Sequence, residues 1–257
     1  MSDSTRPPIR LIARLDIKGK NLIKGVQLEG LRVLGDPNEF ARRYYLDGID
    51  EILYIDTVAS LYGRSYMTEI LQNTVSEIFV PITAGGGVKS IDDVRMLLRS
   101  GADKVAINSE AVRNPQLIAD VSDAFGEQCT VVSIQAKKVA PNNWEALIEG
   151  GREKTGLNVV EWASEATRLG AGELLLTSVD RDGTKKGFDN ELIAAVRSAV
   201  GVPVIASGGF GSTDNLGQLL SSAPEIDAIS VGSALHYKKA SVADIRSTLR
   251  DIEASKL

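Results

Sequence analysis

The residues best suited to chemistry are a carboxylate and glycine turns that close short apolar runs. Leu11-Ile-Ala-Arg14-Leu-Asp16-Ile is largely apolar up to Asp16, and Lys18-Gly19-Lys20-Asn21 follows as a turn-forming stretch. An acid at the end of a strand is held still yet faces a loop, which suits a general acid or base. A solvated loop carboxylate is the plainer reading. Two other runs end in glycine. They are Val80-Pro-Ile-Thr-Ala-Gly85-Gly86-Gly87-Val-Lys-Ser90 and Val202-Pro-Val-Ile-Ala-Ser207-Gly208-Gly209-Phe-Gly211-Ser212. The order reads strand, tight turn, helix N-terminus. Exposed N–H groups and the helix dipole favour an anion there, and glycine lets a phosphate approach closely. One such turn is weak evidence, because tight turns use glycine for geometry alone. Two, in corresponding places, say more.

The correspondence is metric. Val80 and Val202 are 122 residues apart, as are Glu51 and Glu173, which sit in the similar stretches Asp47-Gly48-Ile-Asp-Glu51-Ile-Leu-Tyr-Ile and Leu169-Gly170-Ala-Gly-Glu173-Leu-Leu-Leu-Thr177. The chain therefore reads as a duplicated half. Residues 1–8 are a loose polar lead-in. Predicted strands lie at Leu11–Ile17, Glu51–Asp56, Pro81–Ala84, Lys104–Ile107, Cys129–Ala136, Glu173–Thr177, Val202–Ala206 and Ala228–Val231. Lys24 to Leu34 reads as a long loop, and residues 138–151 as a hairpin inserted in a loop. Helices are expected after each strand. One starts at Asp36-Pro37-Asn38-Glu39, with an N-cap, a first-turn proline and a capping-box glutamate. Others cover Arg64 to Ser76, a stretch capped at Ser90, Asn114 to Ala124, a stretch capped at Asn158, Asn190 to Val200, Ser212 to Leu220 and Val242 to Ala254. Apolar strands alternating with helices imply a parallel sheet covered on its faces. Eight units with a half-chain repeat imply an α/β fold, a single (β/α)8 TIM barrel over residues 1–257.

In that fold the active site lies at the C-terminal strand ends. The ends collect Asp16, Asp56, Gly86 and Gly87, Asn108 and Ser109, Gln135, Thr177, Asp180 and Asp182, Ser207 to Gly209, and Gly232-Ser233. Gly232 and Ser233 complete a phosphate seat with Ser207, Gly208 and Gly209; by the repeat, Asn108 and Ser109 complete one with Gly86 and Gly87. Two seats across one mouth imply a substrate with a phosphate at each end. Lys24 reads equally as a phosphate clamp or a surface lysine. Asp182-Gly183 reads as a hydroxyl-binding pair or as a plain turn. Trp144 and His236 read as structural.

Composition narrows the partners. A net charge of −5 gives no support for nucleic-acid binding. No run of residues is apolar enough to span a bilayer, and the N-terminus lacks a signal-peptide core. A lone Cys129 fits a reducing cytoplasm, and a lone His236 leaves no histidine metal cluster, so neither metal nor cofactor is expected.

Longer motifs point further. Ala13-Arg-Leu-Asp16-Ile-Lys…Leu22-Ile-Lys24-Gly25, Gly101-Ala-Asp103-Lys104-Val-Ala-Ile-Asn108, Leu175-Leu-Thr-Ser-Val-Asp-Arg-Asp182-Gly183-Thr184 and Ile205-Ala-Ser-Gly-Gly209 resemble the cyclase subunit of imidazole glycerol phosphate synthase, an enzyme of histidine biosynthesis. The resemblance runs from about Arg10 to His236. The related isomerase of that pathway shares the barrel and both seats but not the first-strand motif or the Thr-Ser-Val-Asp-Arg-Asp-Gly-Thr run. The resemblance implies a lyase that takes ammonia from a glutaminase subunit docked on the N-terminal barrel face. It converts phosphoribulosyl-formimino-aminoimidazole carboxamide ribotide into imidazole glycerol phosphate and aminoimidazole carboxamide ribotide. It also implies that Asp16 is catalytic, that Arg10, Glu51, Lys104 and Glu173 form a ring gating the barrel's bottom, and that Asp103 contacts the glutaminase.

Two positions depart from the family pattern. The second catalytic aspartate is replaced by Gln135, in Val132-Ser-Ile-Gln135-Ala-Lys137. An amide exchanges no proton near neutral pH, and losing one acid–base partner costs on the order of 10²–10⁴ in rate. Arg14 replaces a residue that is small in the family, and is expected to face away from Asp16. The departures leave open a cyclase-like subunit that channels ammonia for amidination of a surface-polysaccharide sugar, and a non-catalytic scaffold that activates a glutaminase.

Overall fold

The computed structural model describes residues 7–59 and 66–254; residues 1–6 of the lead-in expected at 1–8 and the start of the helix expected from Arg64 lie outside them. Eight strands pair in parallel and close on themselves. They are β1 (Arg10–Lys18), β4 (Glu51–Asp56), β5 (Ile82–Gly85), β6 (Lys104–Ile107), β7 (Thr130–Ala140), β10 (Glu173–Ser178), β11 (Val204–Ser207) and β12 (Ala228–Val231). Each pairs with the next in this order, and β12 returns to β1 with Leu11 opposite Ile229. This is the (β/α)8 barrel expected, with strand ends displaced by at most two residues except that β7 runs four residues past the expected Ala136.

The surrounding helices are α1 (Pro37–Leu46), α2 (Met67–Thr74), α3 (Ile91–Arg99), α4 (Ser109–Arg113), α5 (Gln116–Phe125), α6 (Val159–Arg168), α7 (Asn190–Ala199), α8 (Asp214–Ser222), α9 (Ser233–His236) and α10 (Val242–Ala254). Their starts follow local chemistry. The Asp36 carboxylate accepts from the N–H groups of Asn38 and Glu39, and Asn158 does the same for Val160 and Glu161. No described helix is long and apolar enough to cross a membrane.

Two strand pairs leave the barrel at its mouth. The expected hairpin after the fifth barrel strand is present: β8 (Asn143–Ile148) folds back on β7, and β9 (Glu153–Asn158) continues it beyond residue 151. The loop expected from Lys24 to Leu34 is instead a hairpin, β2 (Asn21–Val26) and β3 (Glu29–Gly35). Its two turn residues, Gln27 and Leu28, both have positive φ, 53° and 64°. That backbone matches the twist of a hairpin and is ordinarily marked by Asn or Gly. Gln-Leu carries no such mark, so the turn is invisible in the sequence. The two hairpins follow β1 and β7, corresponding strands of the duplicated halves.

Alternation stacks the barrel interior in layers. Along β1 the inward positions are Arg10, Ile12, Arg14 and Asp16. Ile12 packs with Leu53, Ala106, Val131, Leu175, Ile205 and Ala228 in an apolar layer inside the barrel. Charged residues lie below that layer and the polar mouth lies above it. A larger apolar shell between strands and helices forms the outer core.

Candidate active site

Asp16 is the centre of a buried charge cluster. Its Oδ1 accepts from Arg14 Nε at 2.8 Å, and its Oδ2 from Lys24 Nζ at 2.9 Å. Lys24 also donates to both carboxylate oxygens of Asp182 at 3.1 Å. Arg14, Asp16, Lys24 and Asp182 are each only 4% exposed, which removes the surface reading of Lys24 and the solvated reading of Asp16. Burial alone would raise the Asp16 pKa; the adjacent Arg14 and Lys24 charges outweigh it and hold the carboxyl well below its ordinary range. Burial likewise opposes both cations, and the carboxylates of Asp16 and Asp182 overcome it, so both stay charged. In this state Asp16 is a proton acceptor, not a donor.

The orientation expected for Arg14 is corrected. Positions 14 and 16 are two apart, and period-two alternation puts them on one face of the strand. Arg14 therefore points into the barrel. Its Nη1 donates to Thr177 Oγ1 at 2.9 Å and to Ser207 Oγ at 3.1 Å, tying β1 to β10 and β11. Thr177 is thus committed to Arg14, and Asp182 to Lys24. Gly183 packs over Gly25 of the first hairpin, so that an added Cβ would lie 2.5 Å from the Gly25 carbonyl oxygen.

The glycine turns sit where expected. Gly86 has φ 105°, and a Cβ there would meet the Asp56 carbonyl oxygen at 2.1 Å. Gly209 has φ 103°, with the Gly187 carbonyl oxygen at the same distance. Both positions exclude a side chain. Gly86, Gly87, Asn108 and Ser109 line a large cavity that also reaches Asp16 and Gln135. The Asn108 side chain is spent on the Ser133 carbonyl at 2.8 Å, and Ser109 Oγ accepts from the Glu149 N–H at 3.0 Å. These two polar side chains therefore brace the second hairpin. Ser207, Gly208, Gly209, Gly232 and Ser233 line a smaller adjoining pocket together with Arg14 and Lys24.

Gln135 is buried at the mouth, 9% exposed, and its Oε1 has no hydrogen-bond partner among the described residues. Asp56 turns back to cap the N–H groups of Val58 and Ala59, and Asp180 accepts from the Lys138 N–H. Both are structural at this end. Trp144 is buried and donates to Asp189 at 3.1 Å, as its structural reading required. His236 stacks on Tyr44, whose hydroxyl lies 2.7 Å from its Nδ1, and burial beside Lys24 lowers its pKa to about 4. Arg113 and Arg152 also line the large cavity, Arg113 paired with Glu149 at 2.8 Å. Nothing in the sequence marked them, because an arginine at a helix end or in a turn gains meaning only from the folded neighbourhood.

At the opposite end, Arg10, Glu51, Lys104 and Glu173 close a ring. Arg10 bonds both Glu51 and Glu173; Lys104 lies 3.3 Å from Glu51 and 2.8 Å from Glu173. Burial disfavours the Arg10 charge, but the two carboxylates override it and raise its pKa. Asp103 is exposed beside this ring, and its carboxylate accepts the Ile82 N–H at 2.8 Å. Asp50 and Asp227 accept the N–H groups of Leu11 and Val204 at 2.8 and 3.0 Å, so that bond is a recurring strand-end device.

The chain is matched over residues 10–241 by a family model described as histidine biosynthesis protein. Among curated relatives, it is 58% identical over 80% of its length to imidazole glycerol phosphate synthase subunit HisF of Legionella pneumophila, covering 97% of that protein. It is 45% identical to the protein of the same name from Bacillus cereus and 41% identical to that from Streptococcus mutans. Each of these alignments covers 94% of this chain and 96% of the relative.

Proposed function

Since the chain belongs to the histidine biosynthesis protein family, we propose that it is the cyclase subunit of imidazole glycerol phosphate synthase. The observation that carries this reading is one carboxylate, Asp16, held ionised at the barrel mouth between two glycine-turn seats. Those seats take the two phosphates of phosphoribulosyl-formimino-aminoimidazole carboxamide ribotide. Gly86 and Gly87, with the backbone of Asn108 and Ser109, hold one end; Ser207, Gly208 and Gly209 with Gly232 and Ser233 hold the other. The two ends fix the reacting centre over Asp16, and fixed geometry by itself supplies much of a rate enhancement.

Asp16 accepts the proton released as ammonia adds to the substrate and the imidazole ring closes. Lys24 and Arg14 keep it deprotonated and aimed. Gln135 holds the substrate by its amide where a second carboxylate would shuttle protons, so turnover is slow relative to a site with two acids. Asp182 anchors Lys24, and Gly183 fixes the height of that loop over the first hairpin.

Ammonia comes from a glutaminase subunit on the N-terminal face. The ring of Arg10, Glu51, Lys104 and Glu173 closes the barrel's lower opening, with Asp103 exposed beside it as a docking contact. A ring whose four members satisfy one another is stable while shut and opens only when a partner competes for one of them. Above it the apolar layer around Ile12 and Leu175 suits neutral ammonia better than ammonium. The two other acceptor readings, an amidinated sugar and a scaffold without catalysis, gain no support from the relatives' names.

The test is turnover of the purified chain with the two-phosphate substrate and ammonium salt at high pH, which needs no glutaminase. Turnover that Asp16→Asn abolishes is the expected result, with Gln135→Asp raising the rate. A chain inactive as it stands and still inactive as Gln135→Asp would refute the reading.

A further inference from the structure

Arg14 has more donors than partners. Its Nε is taken by Asp16, and its Nη1 by Thr177 and Ser207. Among the described residues its Nη2 has no hydrogen-bond partner, although the residue is only 4% exposed. The guanidinium borders the pocket formed by the Ser207–Gly209 turn, and Ser230 Oγ in the same pocket is also buried without a partner. Lys24, the other cation there, is already committed to Asp16 and Asp182. An unpaired hydroxyl is costly to bury unless a ligand meets it, and a nearly buried guanidinium with a free N–H edge beside it is placed to meet the same ligand. The planar guanidinium fork offers N–H donors in the geometry of two oxyanion oxygens.

We propose that Arg14 is a direct ligand of the anion seated on the Ser207–Gly209 turn, with Nη2 and Ser230 Oγ contacting its oxygens. The proposal rests on the reading of that turn as the seat of one substrate phosphate, and adds that this seat uses a charged side chain as well as backbone N–H groups. Thr177 and Ser207 are then positioning residues that act through Arg14, holding its plane while Nη2 is free to bind. Arg14 also joins the seat to the chemistry, because the same guanidinium touches Asp16. An occupied seat brings negative charge close to that carboxylate and raises its affinity for a proton.

The test uses inorganic phosphate as the probe. Calorimetric titration of the whole chain should show one phosphate site weakened about 10- to 100-fold in Arg14→Met, the range for loss of a charge-assisted hydrogen bond. Arg14→Lys, which keeps the charge and loses the fork, should recover part of the affinity. A folded Arg14→Met that binds phosphate as the unaltered chain does would overturn the proposal. If Arg14→Met does not fold, crystals of the unaltered chain grown in phosphate decide. An ion on the turn within about 3.2 Å of Arg14 Nη2 supports the proposal; an ion farther away, or none on the turn, overturns it. Neither measurement needs turnover. Phosphate held by Arg14 in a chain without cyclase activity would sink the functional reading alone, and activity with an indifferent Arg14 would sink this proposal alone.

Discussion

Replacing Asp16 by asparagine perturbs the centre of the site at nearly constant volume. Arg14, Lys24, Asp16 and Asp182 form a charge-balanced buried group. Asp16→Asn leaves it with one uncompensated positive charge and weakens bonds at 2.8 and 2.9 Å. Removing one partner of a buried ion pair costs about 3–5 kcal/mol. The amide oxygen still accepts one hydrogen bond, and Lys24 keeps Asp182, so the lower end applies, about 3 kcal/mol. For a domain of this size that lowers Tm by about 6–12 °C. The pH dependence has a definite sign. The folded-state pKa of Asp16 is depressed, so its contribution is complete above the ordinary carboxylate value and is lost as pH falls through the folded one. The stability gap between the two proteins should be flat from pH 8 to about 5 and narrow only below about 4. Urea unfolding followed by circular dichroism across that range measures it. A gap under about 1 kcal/mol at pH 7, or one that widens on acidification, would refute the claim that Asp16 is a buried, doubly paired carboxylate.

Other outcomes follow from the same structure. Lys104→Met removes one cation from the bottom ring and leaves Glu51 and Glu173 sharing Arg10; it should cost about 1–3 kcal/mol, and glutamine-driven turnover with the glutaminase should fall more than ammonium-driven turnover. The single histidine should give one imidazole proton resonance with a midpoint near pH 4, whereas a midpoint near 6.5 would mean that His236 is not buried. Because that pKa is lowered on folding, the unfolded chain binds the extra proton first, and His236 should subtract about 3 kcal/mol of stability as pH falls from 6.5 to 4. Trp144→Phe, which leaves Asp189 without its indole donor, should lower stability by about 1–3 kcal/mol in denaturant titrations.

The misreadings have local explanations. The first hairpin escaped notice because Gln27-Leu28 adopts a turn that those residue types do not advertise. The inward direction of Arg14 was legible from its two-residue spacing to Asp16. Its purpose was not, because Thr177 and Ser207 are 163 and 193 residues away. Arg113 and Arg152 had no periodic or motif signal at all.

The sequence by itself determined what depends on near neighbours. Apolar runs and their glycine ends set the eight strands and the anion turns, capping residues set helix starts, and the half-chain repeat set the closed barrel. Asp16 and the seats could be named at that level, because strand position alone assigns a residue to one end of the barrel; the four ring charges were named through the family resemblance, and strand position only put them at the opposite end. Only the tertiary structure decided which charges neutralise one another. Closure brings β1 against β12 and β4, and carries Arg14 across the interior to β10 and β11. Burial then turned Lys24 from a plausible surface lysine into the counter-ion of two carboxylates. It also held Asp16 ionised and left Gln135 Oε1 without a partner among the described residues. Those properties arise from low-dielectric contact between residues far apart in the chain, which no local pattern encodes.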